Sequence, residues 1–103
     1  METQRQIRFG ELIRSLLSDC LLKEDFYDDK IHSSSITISF VKMTKDLKIA
    51  NVYFMPLGGK DKSKILDILK EKKYIFQKFL SKARIQSKFT PKLSFFLDDT
   101  FEE

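Results

Sequence analysis

Two runs of period-two alternation, at 36–41 and 50–55, flank the polar stretch Thr44-Lys45-Asp46-Leu47-Lys48. No other feature of the chain constrains its fold as strongly. In the first run Ile36, Ile38 and Phe40 alternate with Thr37, Ser39 and Val41; in the second Ala50, Val52 and Phe54 alternate with Asn51, Tyr53 and Met55. Alternation sends successive side chains to opposite faces of a sheet, so each run predicts a strand with one buried face. The charged segment between them predicts a reversal, which makes the two strands neighbours. Pro56 cannot donate to a ladder and Gly58-Gly59 favour a turn, so the second strand closes there.

Helical spacing occupies the flanks. Thr3 and Gln6 form a capping-box pattern, which predicts a helix from near Gln4. Ile7, Leu12, Ile13, Leu16, Leu17, Cys20 and Leu21 make its apolar stripe, with Arg8, Glu11, Ser15, Ser18 and Asp19 opposite. Residues 23–34 have no period and read as a loop. Asp61 is placed to cap a helix that turns Ile65, Leu66, Ile68 and Leu69 inward. A second helical period holds Ile75, Phe76, Phe79, Leu80 and Ala83, and the lysines at 70–73 predict either two helices or one kinked helix. Leu93, Phe95 and Leu97 then alternate with Ser94 and Phe96 as a third strand. The predicted order is αββααβ, an α+β chain whose three-stranded sheet packs against helices as one domain over 1–103. Leu16, Ile38, Val52, Phe79 and Phe95 are expected in its core.

Size and composition agree with that reading. A chain of 103 residues buries roughly 60–70% of its unfolded surface on folding, enough for one core. Its longest apolar run, Val52 to Met55, is far too short for a membrane span, and the opening residues lack the apolar region of a secretory signal. The single cysteine cannot pair internally, which points to a reducing, cytoplasmic compartment. Catalytic chemistry finds no support. His32 sits in a polar loop with Asp28 and Asp29, a spacing that matches no metal-ligand or triad pattern, and Cys20 falls in the apolar stripe. The segment "GGKDKS" at 58–63 lacks the spacing of a phosphate-binding loop and reads as a turn with a helix cap. No enzyme activity, metal or cofactor is expected.

Charge is the informative property. Residues 60–92 hold eleven Lys or Arg against three acids, a net +8, whereas the rest of the chain holds eight against twelve, a net −4. Such polarity draws polyanions to one part of the surface. Lys78 and Lys82 lie four apart on one flank of the last helical stripe, with Gln77 and Arg84 on the other and Lys88 and Lys92 beyond. Cations beside polar side chains suit phosphate contacts. Phe76 and Phe79 follow the apolar period and belong to the core. Recognition of backbone and shape in folded RNA, or docking on a ribonucleoprotein surface, is therefore expected, rather than stacking on bases. The expected contacts are Lys72, Lys73, Lys78, Lys82, Arg84 and Lys88, supported by Arg5 and Arg8 if the first helix packs nearby.

With this order and a basic helix pair the chain resembles a type II KH domain. Three segments narrow the resemblance: "RQIRFGELIRSLLSDCLL" (5–22), "SITISFVKMTKDLKIANVYFMPLG" (35–58) and "TPKLSFFLDDTFEE" (90–103). They are similar to the bacterial ribosome-binding factor A family, most specifically at Asp46-Leu47-x-x-Ala50-x-Val52-Tyr53 and next at Pro91-x-Leu93-x-Phe95-x-x-Asp98. The resemblance implies that the Asp-Leu turn links two KH strands with Ala50 and Val52 toward the helices. It also implies a non-enzymatic, monomeric factor of the bacterial cytoplasm. Such a factor binds the immature small (30S) ribosomal subunit and its precursor 16S rRNA and assists late maturation, notably in the cold. Two departures stand out. Lys72-Lys73-Tyr74 occupies the place of the family's Ala-x-Gly kink, and a side chain at 74 lacks glycine's access to positive φ, so a different bend is expected. Family members also often carry a C-terminal tail beyond the point where this chain stops. A KH-like module with another RNA target is the alternative. An acylphosphatase-like enzyme is a third reading, but it requires a phosphate-gripping loop and a catalytic Arg that the sequence does not display.

Overall fold

Helix α1 (Gln4–Lys23) starts at the capping box. The structure is a computed structural model and describes residues 2–23, 36–56, 62–83 and 90–98. The Thr3 amide donates to Gln6 Oε1 at 2.9 Å and the Gln6 amide donates to Thr3 Oγ1 at 3.2 Å, which satisfies two of the donors a helix start leaves open. Gln6 has a second task. Its Nε2 donates to the Met43 carbonyl at 3.0 Å, so a polar side chain is buried with both ends paired.

The buried face of α1 runs through Gln6, Gly10, Ile13, Leu17, Cys20 and Leu21. This differs from the expected stripe: Ile7 and Leu12 are 44% and 43% exposed. The cause is Gly10. A Cβ there would lie 2.5 Å from the Val41 carbonyl oxygen, so the helix backbone rests directly on the first strand along this line. Ile7 and Leu12 are turned outward as a result. Leu16 is half-buried at the edge of the face and packs against the core.

The sheet has order β1-β2-β3, with β1 (Ile36–Met43), β2 (Ile49–Pro56) and β3 (Lys92–Leu97). β1 and β2 are antiparallel, and β3 runs parallel to β2 and forms one edge. Ala50, Val52 and Phe54 are completely buried, beside Leu93 and Phe95 of β3, as the alternation requires. In β1 the alternation breaks. The register passes from Ile38↔Phe54 to Phe40↔Tyr53, so Ser39 is an extra residue on one side of the ladder. One inserted residue inverts the parity of everything after it. Val41 and Met43 therefore enter the core, and Phe40, expected inside with Ile36 and Ile38, lies on the opposite face.

The reversal between β1 and β2 is held by short side chains. Thr44 Oγ1 donates to Asp46 Oδ1 at 2.7 Å, and the same carboxylate oxygen accepts the Lys48 amide at 3.0 Å. The Ile49 amide donates back to Thr44 Oγ1 at 3.1 Å. Leu47 takes φ 61°, a left-handed conformation that costs a non-glycine residue about 1–2 kcal/mol. Burial of its side chain in the core opposes that cost. The Asp46 carboxyl is held below the ordinary carboxylate range, first by the Thr44 hydroxyl and then by the Lys48 amide.

Two helices complete the fold, α2 (Lys62–Glu71) and α3 (Lys73–Lys82). Lys72 alone separates them, at φ −92° and ψ 11°. Its amide donates to the Ile68 carbonyl and its own carbonyl accepts the Ile75 amide, each at 2.9 Å. The bend thus occurs at Lys72 without a left-handed residue, and Tyr74 sits in α3 with 68% of its surface exposed. α1 packs on β1 and on α3, while α2 and α3 cover β3. The Phe76 and Phe95 rings meet at 5.4 Å in the middle of this layer. Ile38, Val52 and Phe95 are buried as expected, and Phe79 is half-buried against the core. Asp28, Asp29, His32, Asp61 and most of the "GGKDKS" segment lie outside the described residues.

Two outcomes are expected. Gly10→Ala gains about 1 kcal/mol of helix propensity, but the clash is with a backbone carbonyl that cannot swing aside, and overpacking costs about 1–3 kcal/mol. The substitution should lower the thermal midpoint, and an unchanged midpoint would mean that the layers sit farther apart. Asp46 makes its contribution when ionised. Because its native pKa is lowered, that contribution is complete above the unfolded carboxylate value of about 3.9 and is lost as pH falls through the lower native value. The stability gap between wild type and Asp46→Ala, followed by urea titration, should shrink on acidification.

Candidate functional site

β3 is an edge strand, and the α2–α3 junction lies beside it. Between them runs an open groove of about 390 Å³ lined by Lys70, Lys73, Leu93, Ser94, Phe95 and Phe96. Lys70 belongs to the last turn of α2 and Lys73 to the first turn of α3, so the short junction brings two lysines to one groove. Lys72 lies half-buried between them. α3 starts with no side-chain cap and no acid in its first turn. Lys70, Lys72 and Lys73 outnumber the one acid of the junction, Glu71, so this wall of the groove favours an anion.

The start of β3 is held from α3. Gln77 Nε2 donates to the Pro91 carbonyl and its Oε1 accepts the Leu93 amide, each at 3.0 Å. This two-point clamp fastens the start of β3 to the helix. Gln77 is thus spent on structure, although its sequence position on a polar flank suggests a phosphate contact.

The other expected contacts divide. Arg5 and Arg8 are exposed and line a second depression of about 420 Å³, together with Gln4, Phe9 and Leu12, all on α1. α1 does pack against α3, but its arginines and the junction lysines line separate hollows. Lys78 and Lys82 are exposed on α3 and line neither. Arg84 and Lys88 lie outside the described residues. Lys70 is not among the expected contacts. Its charge is plain in the basic segment, but only the fold turns it toward the β3 edge.

The sequence model of ribosome-binding factor A matches residues 5–103, nearly the entire chain. The chain belongs to the ribosome-binding factor A family. It is 42% identical over 100 residues to the ribosome-binding factor A of Pelagibacter ubique, covering 97% of this chain and 81% of that protein. It is 41% identical to that of Methylorubrum extorquens strain PA1, covering 98% of this chain and 69% of the relative. Among solved structures, a Thermotoga maritima protein assigned to the same family superposes with a TM-score of 0.77 at 26% identity, over 100% of this chain and 95% of that one. The crystal structure of ribosome-binding factor A from Thermus thermophilus has the same fold, with a TM-score of 0.73 at 16% identity over 89% and 94% of the two chains. The αββααβ order and the sheet packed on helices are thus those of the family.

Gln77→Leu tests the clamp. It keeps the side-chain volume and leaves the Leu93 amide and Pro91 carbonyl unpaired, which should cost about 1–3 kcal/mol. Amide exchange at Leu93 should accelerate more than exchange at Val52, and equal acceleration would show that the clamp is not local.

Proposed function

We propose that this chain is a non-enzymatic assembly factor that binds the immature small ribosomal subunit and its precursor 16S rRNA and assists late rRNA maturation. Membership of the ribosome-binding factor A family over residues 5–103 carries the reading. Further support comes from a relative of the same fold, the Thermus thermophilus ribosome-binding factor A fitted into a cryo-EM map of a 30S complex; its TM-score is 0.60 at 17% identity. In this reading residues 1–103 act as one KH-like domain, monomeric, in the bacterial cytoplasm, with a role in cold adaptation. Among the described residues no helix is long and apolar enough to cross a membrane.

Binding rests on phosphate contact. Lys73 and Lys70 at the groove are the primary contacts, Lys72 adds charge at the junction, and Lys78 and Lys82 extend the positive surface along α3. Arg84, Lys88, Arg5 and Arg8 continue it. The convergence of Lys70 and Lys73 on one groove supports placing a phosphate at the junction rather than elsewhere on the basic surface.

Co-sedimentation of the purified protein with small subunits over a range of salt tests this. Each phosphate neutralised contributes about −0.7 to −0.9 to the slope of log affinity against log salt. Lys70→Glu with Lys73→Glu should weaken binding and flatten the slope by roughly two contacts' worth, and Lys78→Glu with Lys82→Glu should do so less strongly. Lys23→Glu with Lys30→Glu, in the acidic part of the chain, is the control. Equal loss in the control would mean diffuse attraction and no site at the junction. Absence of wild-type binding to small subunits would overturn the reading itself.

A further inference from the structure

The sheet face turned away from the helices carries two rows that cross all three strands. Phe40, Tyr53 and Phe96 are register partners and form the first. Their rings are stacked, with centroids 4.4 Å apart between Phe40 and Tyr53 and 5.3 Å apart between Tyr53 and Phe96. Lys42, Asn51 and Ser94 are also register partners and form a polar row alongside. The Lys42 ammonium stands 5.9 Å from the centroid of the Phe40 ring. None of the three strands contains an acid, and Lys92 is exposed at the start of β3.

The aromatic column ends at Phe96, which is 43% exposed. Phe96 also lines the groove that Lys70 and Lys73 flank. The column therefore abuts the place where the proposed function seats a phosphate. The β1 bulge is what completes the column, because without the extra residue Phe40 would point into the core. Bulges interrupt a ladder and re-aim side chains, and here the re-aimed side chain adds a third ring to an open surface.

We infer that this face is a stacking platform for unpaired RNA bases, continuous with the groove at the β3 edge. A base stacked on Phe96 extends the column, its phosphate lies on Lys70 or Lys73, and Asn51 and Ser94 offer hydrogen-bonding groups to base edges beside the rings. Charge selects this occupant: the three strands carry no acid, and Lys42, Lys70, Lys73 and Lys92 outnumber Asp98, which follows β3, so the face suits a polyanion. Ile49 and Met55 extend the apolar part of this face along β2, so it is the lysines and the polar row that favour a strand of nucleotides over a second copy. The inference rests on the RNA-binding part of the proposed function and goes beyond it by naming unpaired nucleotides and a second face.

Fluorescence anisotropy of a labelled, unstructured 12-nucleotide oligoribonucleotide with the full chain tests the platform, with a 12-base-pair RNA duplex in parallel. Stacking of a base on an aromatic ring is sequence-tolerant, and its removal costs about fivefold or more in affinity. Phe96→Leu, which keeps an apolar side chain but no ring, should weaken oligonucleotide binding by at least that factor and leave the duplex unaffected. Phe96→Tyr should bind as wild type does, and Lys42→Gln should flatten the salt slope by about 0.7. Wild-type affinity in Phe96→Leu, or equal loss for oligonucleotide and duplex, would overturn the platform. So would sedimentation showing a wild-type dimer that Phe96→Leu dissolves, because the face would then be a contact between copies. If the Lys70 and Lys73 reversal abolishes small-subunit binding while Phe96→Leu leaves oligonucleotide binding intact, the assembly-factor reading stands and the platform falls. If the oligonucleotide binds through Phe96 but small subunits do not bind, the opposite holds.

Discussion

The contact between the α1 backbone at Gly10 and the carbonyl of Val41 sets the geometry on which the other layers depend. A helix normally stands off a sheet by the thickness of its side chains. Here one residue has none, and the helix sits down on β1 at that point. Gln6, one turn earlier on the same line, donates to the Met43 carbonyl at the end of the same strand. One steric and one polar contact thus fix both the height and the direction of α1. α3 packs against α1, so the position of the α2–α3 pair over β3, and with it the groove, is inherited from this seating.

β1 accommodates the seating through its bulge. Val41 supplies the carbonyl that meets Gly10 and buries its own side chain, which is possible only because Ser39 has shifted the parity of the strand. The same shift carries Phe40 to the open face, where it stacks on Tyr53. One inserted residue therefore serves the helix side by presenting Val41 and Met43 and the solvent side by presenting an aromatic ring. An ideal alternating strand could have supplied only one of these arrangements.

What is legible in the sequence follows from how local the determining physics is. The capping box at Thr3 and Gln6 is a contact over three residues, and it stands at its expected place. The Asp-Leu turn and the alternation of Ala50, Val52 and Phe54 are likewise local and hold. The stripe of α1 is legible only in its second half. Hydrophobic period assigns faces by residue type, whereas Gln6 and Gly10 are buried by backbone proximity, which leaves no hydrophobic signature. The bulge is hidden for a related reason: "ITISFVKM" supports two phases, and the choice is made by α1, far away in sequence. The helix junction needs no glycine, because one residue near φ −92° suffices when adjoining turns bond across it. Of the expected cations, Lys73 reaches the groove by this bend and Lys70 joins it, a pairing that only the junction's geometry reveals.

Charge and fold are therefore arranged by different means. Lysines cluster in sequence because α2 and α3 are consecutive, and a single-residue junction folds that cluster against the β3 edge. The sheet gains its electrostatic character by omission, since its three strands contain no carboxylate. The acid of the β1–β2 turn, Asp46, has its carboxylate oxygen engaged by the Thr44 hydroxyl and the Lys48 amide. Hydrogen bonding stabilises that carboxylate within the reversal, which adjoins the start of β3, where the Lys92 amide donates to the Lys48 carbonyl. A polyanion approaching the groove thus meets lysines at the junction, aromatic rings beyond the strand edge and no opposing acid in the strands between. The acids that border this path, Glu71 at the junction and Asp98 after β3, are outnumbered by Lys70, Lys72, Lys73 and Lys92.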